Sequence, residues 1–167
     1  MITIPEDDPI FDKYKEILQR YIADQGLKHS VERPILLALI YRHTRPFDAQ
    51  TLWQETLTED RVSRATVFNA LDFFTRCGIL VRLPNKGNAL YLMSHIAHNN
   101  AVVYCRNCGK VILYRKPTLL AKLRQTLKPP RMRRIRPVLI MYGLCSECDA
   151  AFREKKKKGS AKEHSAK

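Results

Sequence analysis

Two cysteine pairs, Cys105-Arg106-Asn107-Cys108 and Cys145-Ser146-Glu147-Cys148, carry the clearest chemistry in the chain. Two residues between cysteines let both thiolates of a tight turn face one point, and two such knuckles complete an all-sulfur tetrahedral shell for Zn²⁺. A single pair could serve redox chemistry, but two in a short chain point to metal. Four thiolates leave no coordination position open for water, so the expected role is one structural Zn²⁺ per chain. No nucleophile, base and orienting residue recur at a catalytic spacing, and no glycine loop is built to cradle phosphate, so an enzyme is not expected.

The elements that position the knuckles follow from the surrounding pattern. Ala101 to Tyr104 reads as a strand entering the first knuckle and Val111 to Tyr114 as its return. Pro117 opens a helix with Leu119, Leu120, Leu123 and Leu127 on one face, and Pro129-Pro130 closes it. Pro137 to Leu144 is a last apolar strand leading to the second knuckle. So small a module cannot bury its aliphatics alone, and a second copy is expected to cover them in a two-fold homodimer.

The chain has 167 residues and a formal net charge of +14. Residues 1–100 hold 12 basic and 12 acidic side chains, whereas residues 101–167 hold 18 and 4, so the excess is confined to the second part. Such a field favours polyanions, nucleic acid first, although a solubilising surface has the same composition. Arg131, Arg133, Arg134 and Arg136 lie at the start of the last strand, where they could hold phosphates or simply protect an edge. Of five cysteines only Cys77 lies outside the knuckles, which fits a reducing cytoplasm and a small buried thiol. No signal peptide and no run of membrane-spanning length is visible.

Upstream the periodicity is helical. Ile10, Tyr14, Ile17, Leu18, Tyr21 and Ile22 form the apolar side of a first helix ending at Gly26. Ser30 can cap a second helix, with Pro34 near its start, that is apolar nearly all round. Asp48 can cap a third burying Ala49, Leu52 and Trp53, and Ser63 a fourth, with Val62 and Val67 as a hydrophobic staple. Val67, Leu71 and Phe74 form the inner stripe of that fourth helix and Gly78 ends it. Two strands, Ile79 to Leu83 and Ala89 to Met93, follow around a turn.

That order is the winged form of the helix-turn-helix, whose second helix enters the major groove amino-terminal end first. Arg64, Thr66 and Asn69 then face base edges or phosphates, Phe68 packs on a thymine methyl, and Arg82 and Lys86 reach flanking backbone. The fold class expected is α+β. Residues 1–93 form the winged-helix domain, 94–100 an aperiodic hinge, 101–150 the zinc-stapled α/β dimerisation domain and 151–167 a basic disordered tail. The partner expected is a double-stranded, near-palindromic DNA operator; the alternative is a zinc-stabilised module for RNA or another polyanion.

The residues also resemble a known family. Gly26-Leu27-Lys28, Arg33, Ala65-Thr66-Val67-Phe68-Asn69, Gly78-Ile79, Cys105 to Ile112 and Tyr142-Gly143 fall in the order of the ferric uptake regulators. The resemblance implies a homodimeric transcriptional regulator with a winged-helix domain and a zinc-stapled dimerisation domain. It also implies a minor-groove contact at Lys28, and it sets Phe68 where the family carries a tyrosine.

Sensing departs from that pattern. The family's His-rich run before the first knuckle appears here as His98-Asn99-Asn100-Ala101-Val102-Val103, its acidic residue as Leu92 and a later histidine as Pro137. Amides and aliphatics are poor ligands for a divalent ion, so the usual iron-responsive site is not expected. His43, His95 and His98 are the candidates for a relocated regulatory metal site. Haem is a second ligand class, with a histidine, a methionine or Cys77 axial to the iron and the Arg131 to Arg136 cluster meeting its propionates.

Overall fold

The computed structural model describes residues 7–59, 62–85, 87–127, 131 and 136–164. It divides into two compact units, Met1–Ala97 and His98–Lys167.

In the first unit, α1 (Pro9–Asp24) starts at Asp8, whose carboxylate accepts from the backbone N–H of Ile10 at 2.8 Å and Phe11 at 3.3 Å. Its buried stripe is Phe11, Tyr14, Leu18 and Ile22. Phe11 takes the place expected for Ile10, which is exposed: the buried stripe runs Phe11, Tyr14, Leu18, Ile22 at spacings of three and four. The second helix, α2 (Glu32–Tyr41), is the buried centre, with Leu36, Leu37 and Ile40 fully buried. Each such side chain contributes roughly 1.5–3 kcal/mol. Ser30 does not cap it: Val31 holds that position without a side-chain bond, and the Ser30 hydroxyl donates to Glu32 instead.

A two-residue strand, β1 (Phe47–Asp48), precedes α3 (Ala49–Glu59), and Asp48 caps the helix through Thr51 N–H at 2.8 Å. Ala49 and Leu52 are buried, whereas Trp53 is half-buried against the core. Then comes α4 (Arg64–Arg76), followed by β2 (Leu80–Leu83) and β3 (Leu90–Met93). Ser63 caps α4 through Thr66 N–H at 3.1 Å, and Val62 and Val67 are both buried at the staple positions. Gly78 ends the helix at φ +78°, a left-handed conformation that suits glycine. The three strands form one antiparallel sheet in the order β1-β3-β2, with Phe47 opposite Tyr91 and Arg82 opposite Tyr91 on the other side. The architecture is a winged helix-turn-helix.

The segment expected to be an aperiodic hinge is a short helix, α5 (Ser94–Asn99), and the boundary between units falls within it. Its polar residues find partners: Tyr14 Oη lies 2.9 Å from Ser94 Oγ and accepts from His95 N–H at 2.8 Å. Polarity alone therefore misread the segment.

The second unit holds β4 (Asn100–Cys105), β5 (Val111–Arg115), α6 (Pro117–Thr126), β6 (Ile140–Gly143) and α7 (Ser146–His164). The sheet order is β5-β4-β6, with β5 antiparallel and β6 parallel to β4. Along α6 Leu120 is buried, but Leu119 and Leu127 are about half exposed, at 46% and 52%, so the expected leucine face is only partly covered within the chain. The tail, expected to be disordered, is helical to His164. Lysine is a good helix former, the first turn carries Glu147 and Asp149, and Asp149 pairs with Arg153 at 2.7 Å one turn on. Of the basic strand entrance, residues 132–135 lie outside the described residues, and Arg136 precedes β6 rather than belonging to it. Among the described residues no helix is long and apolar enough to cross a membrane.

Candidate metal centre and nucleic-acid interface

Parallel pairing of β4 with β6 brings the cysteines together. Both strands end at the same edge of the sheet, with Cys105 opposite Gly143, so the knuckles that follow are neighbours although 37 positions separate Cys108 from Cys145. An antiparallel pairing would have sent them to opposite ends. The first knuckle closes through Gly109, at φ +76°, whose N–H donates to the Cys105 carbonyl at 3.0 Å. The second is the entry to α7, where Asp149 N–H donates to the Cys145 carbonyl at 2.9 Å.

The ligand atoms of Cys105, Cys108, Cys145 and Cys148 all lie within 4.8 Å of one another, an arrangement that could hold a metal ion. Cys105 and Cys145 are buried, with the other two at the rim. Backbone N–H groups of Cys108 and Cys145 donate to the Cys105 sulfur and bring its thiol down to about 6. Asn107 Nδ2 donates to the Cys148 sulfur at 3.2 Å, and Lys110 ties the two knuckles by pairing with Glu147 at 3.0 Å. Asn107 went unread in the sequence; its place inside the knuckle, with donors for a thiolate neighbour, is the signal that could have found it.

In the first unit, α4 turns Val67, Ala70, Leu71, Phe73 and Phe74 inward. Its amino-terminal turns present Arg64, Phe68 and Asn69 to solvent. Phe68, a large apolar ring, is 45% exposed. Thr66 is half-buried and its hydroxyl lies 2.8 Å from Ser63 Oγ, so it belongs to the cap as much as to the outer face. Arg33 connects the preceding turn to this helix: it donates to the Lys28 carbonyl at 2.8 Å, and its guanidinium lies 4.5 Å from the Phe73 ring. Lys28 is exposed in that turn, and a groove of about 240 Å³ runs past Ser30, Arg33, Thr66, Asn69 and Arg76. Arg82 is exposed on β2 beside a concavity that includes Pro84, Asn85 and Gly87; Lys86 lies outside the described residues.

The candidate regulatory histidines are each bonded within the protein. His43 Nε2 lies 3.0 Å from Glu55 Oε2, with its ring stacked on Phe47 at 4.2 Å. His95 Nδ1 lies 3.0 Å from Tyr14 Oη, and His98 Nδ1 lies 3.4 Å from the Pro137 carbonyl. Burial holds His95 and His98 below the usual histidine range. Among the described residues, the four cysteines alone group three or more metal-ligating side chains; no histidine joins such a group. Cys77 is half-buried, and burial pushes its thiol up to about 11, which leaves it a poor nucleophile.

Residues 24–142 match the ferric uptake regulator family. The ferric uptake regulation protein of Neisseria gonorrhoeae is 30% identical over 142 residues, spanning 83% of this chain and 96% of its own length. The peroxide-responsive repressor PerR of Staphylococcus saprophyticus is 30% identical over 132 residues, 76% of this chain and 86% of that protein. Among solved structures, the ferric uptake regulator Fur of Helicobacter pylori superposes with a TM-score of 0.64 at 21% identity, covering 83% of this chain and 93% of that one. Likeness at that identity shows the shared fold.

Proposed function

The chain belongs to the ferric uptake regulator family, whose members are transcriptional regulators, and on that premise we propose that it is a homodimeric, sequence-specific reader of double-stranded DNA clamped by structural zinc. The observation that carries the reading is α4. Its inner stripe is fully committed to the core, while Arg64, Phe68 and Asn69 stand uncovered on its amino-terminal turns. A helix-turn-helix inserts that end into the major groove. Arg64, Phe68 and Asn69 then meet base edges, Thr66 meets phosphate while holding the cap, and Lys28, Arg82 and Lys86 fix the register on the backbone.

Zinc fits the cysteine cluster. Bonds of about 2.3 Å at tetrahedral angles set sulfurs about 3.8 Å apart, and Cys108 and Cys145 Sγ are 3.8 Å apart. Soft thiolates select such a metal over hard cations. Bound there, zinc supplies structure, with Cys105, Cys108, Cys145 and Cys148 as ligands and Asn107 orienting Cys148. Dimerisation is supported by the apolar surface of the same unit, where Ile112, Tyr114, Tyr142 and Leu144 are 45–50% exposed. A second copy of this chain would cover them.

The regulatory site is altered or absent. The positions before the first knuckle offer amides and aliphatics, and among the described residues none of His43, His95 and His98 joins a group of three or more metal-ligating side chains. Operator binding by the zinc-loaded dimer is therefore expected to be independent of added iron or manganese.

Arg64→Ala together with Asn69→Ala should weaken binding to a selected palindromic duplex by at least about tenfold in a gel shift, with the dimer unchanged by light scattering. An unaltered shift would mean that α4 does not read DNA.

A further inference from the structure

The first residue of α4 is held in a way that charge alone does not require. Arg64 is exposed and, among the described residues, pairs with no carboxylate. Two rings hold it instead: its guanidinium carbon lies 5.8 Å from the Trp53 centroid and 5.5 Å from the Phe68 centroid. Both distances fall within the range of cation–π attraction, about 6 Å. Trp53 packs half-buried against the core, so the support is itself fixed. Phe68, one turn on from Arg64, lies on the same helix face.

Neither ring supplies a conventional hydrogen-bond acceptor, so the guanidinium keeps its N–H donors for another partner. A guanidinium fork carried at the amino-terminal end of a groove-entering helix pairs best with two adjacent acceptors. In the major groove, guanine offers O6 and N7 together, whereas adenine sets a donor beside its N7, thymine has one acceptor and cytosine a donor. Resting on the DNA-reading role proposed for α4, we infer that Arg64 is a specificity-determining residue that reads a guanine in each half-site. Phe68 beside it packs on the methyl of a neighbouring thymine. A phosphate contact, the other common use of arginine, would carry no sequence information.

The test is selection from a randomised duplex library with the full-length zinc-loaded protein, its Arg64→Ala variant and its Arg64→Lys variant. The wild type should enrich a palindrome with one obligatory G·C pair per half-site. Arg64→Ala should enrich the same palindrome with all four pairs tolerated there, and bind the wild-type site about 10- to 100-fold more weakly. Arg64→Lys, which keeps the charge and can still reach O6 and N7 but loses the planar fork, should keep a weakened guanine preference, between the wild type and Arg64→Ala. Retention of the same G·C preference by Arg64→Ala, or an equal loss of affinity across all sequences, would overturn the guanine assignment and leave DNA reading by α4 intact. Failure of the wild type to enrich any duplex would overturn both.

Discussion

His95 shows how one side chain ties the packing of α1, α2 and α5 to pH. Its Nδ1 lies 3.0 Å from Tyr14 Oη, Tyr14 Oη also accepts from its N–H, and its ring centroid is 5.9 Å from that of Tyr41, which donates to Asp8 at 2.7 Å. Burial lowers its pKa, while the Asp8 carboxylate works in the other direction. A folded-state pKa below the unfolded value of 6.5 means that the unfolded chain binds more protons between the two. Stability is then fully present above the unfolded pKa and is lost as pH falls toward and through the folded one. The urea midpoint should therefore drop between pH 7 and pH 5, and His95→Asn should flatten that slope. His98, lowered by its own burial, keeps part of it. Asp8, with its carboxyl lowered first by the Tyr41 hydrogen bond, titrates below this window. An identical slope in the variant would remove His95 from the account.

At the scale of elements, α4 has to be both anchored and presented. Its start is specified by Ser63, whose hydroxyl accepts from Thr66 N–H at 3.1 Å. Replacing an N-cap serine by alanine costs about 1 kcal/mol, and by glycine only a few tenths. Ser63→Ala should lower unfolding stability by about that amount and Ser63→Gly by much less; equal losses in urea titrations would mean that the cap is not what fixes the helix start. The same element shows what was legible in the sequence. Cap, staple, inner stripe and Gly78 terminus of α4 were all readable because each is a local interaction within a few residues. The knuckle spacing was readable for the same reason. What was missed is non-local: β1 exists because Phe47 pairs with Tyr91 across the sheet, and α5 because Tyr14, some eighty positions away, satisfies Ser94 and His95. Trp53 beneath Arg64 could not be foreseen from periodicity, which placed that ring simply in the core. At the tail, the run Lys155 to Lys158 carries both high charge and high helix propensity, and the helix is the outcome in α7.

For the molecule as a whole, the proposed zinc and the fold of the second unit would share one free energy. A structural zinc site binds with about 10–16 kcal/mol, more than a small module gains from its own core. Cys105→Ser should release the ion, abolish the dimer in sedimentation and leave the helices of the first unit folded; zinc retained at one ion per chain would refute the ligand assignment. Net charge alone, +14 overall, would draw the protein to any polyanion, so affinity for nucleic acid in general decides nothing. The deciding measurement is a competition, followed by fluorescence anisotropy at fixed salt, between the selected palindromic duplex and a structured RNA of equal length for the zinc-loaded protein. Reading by α4 predicts that the duplex binds more tightly and that its scrambled sequence does not. Tighter binding to the RNA, or equal binding to the scrambled duplex, would contradict it.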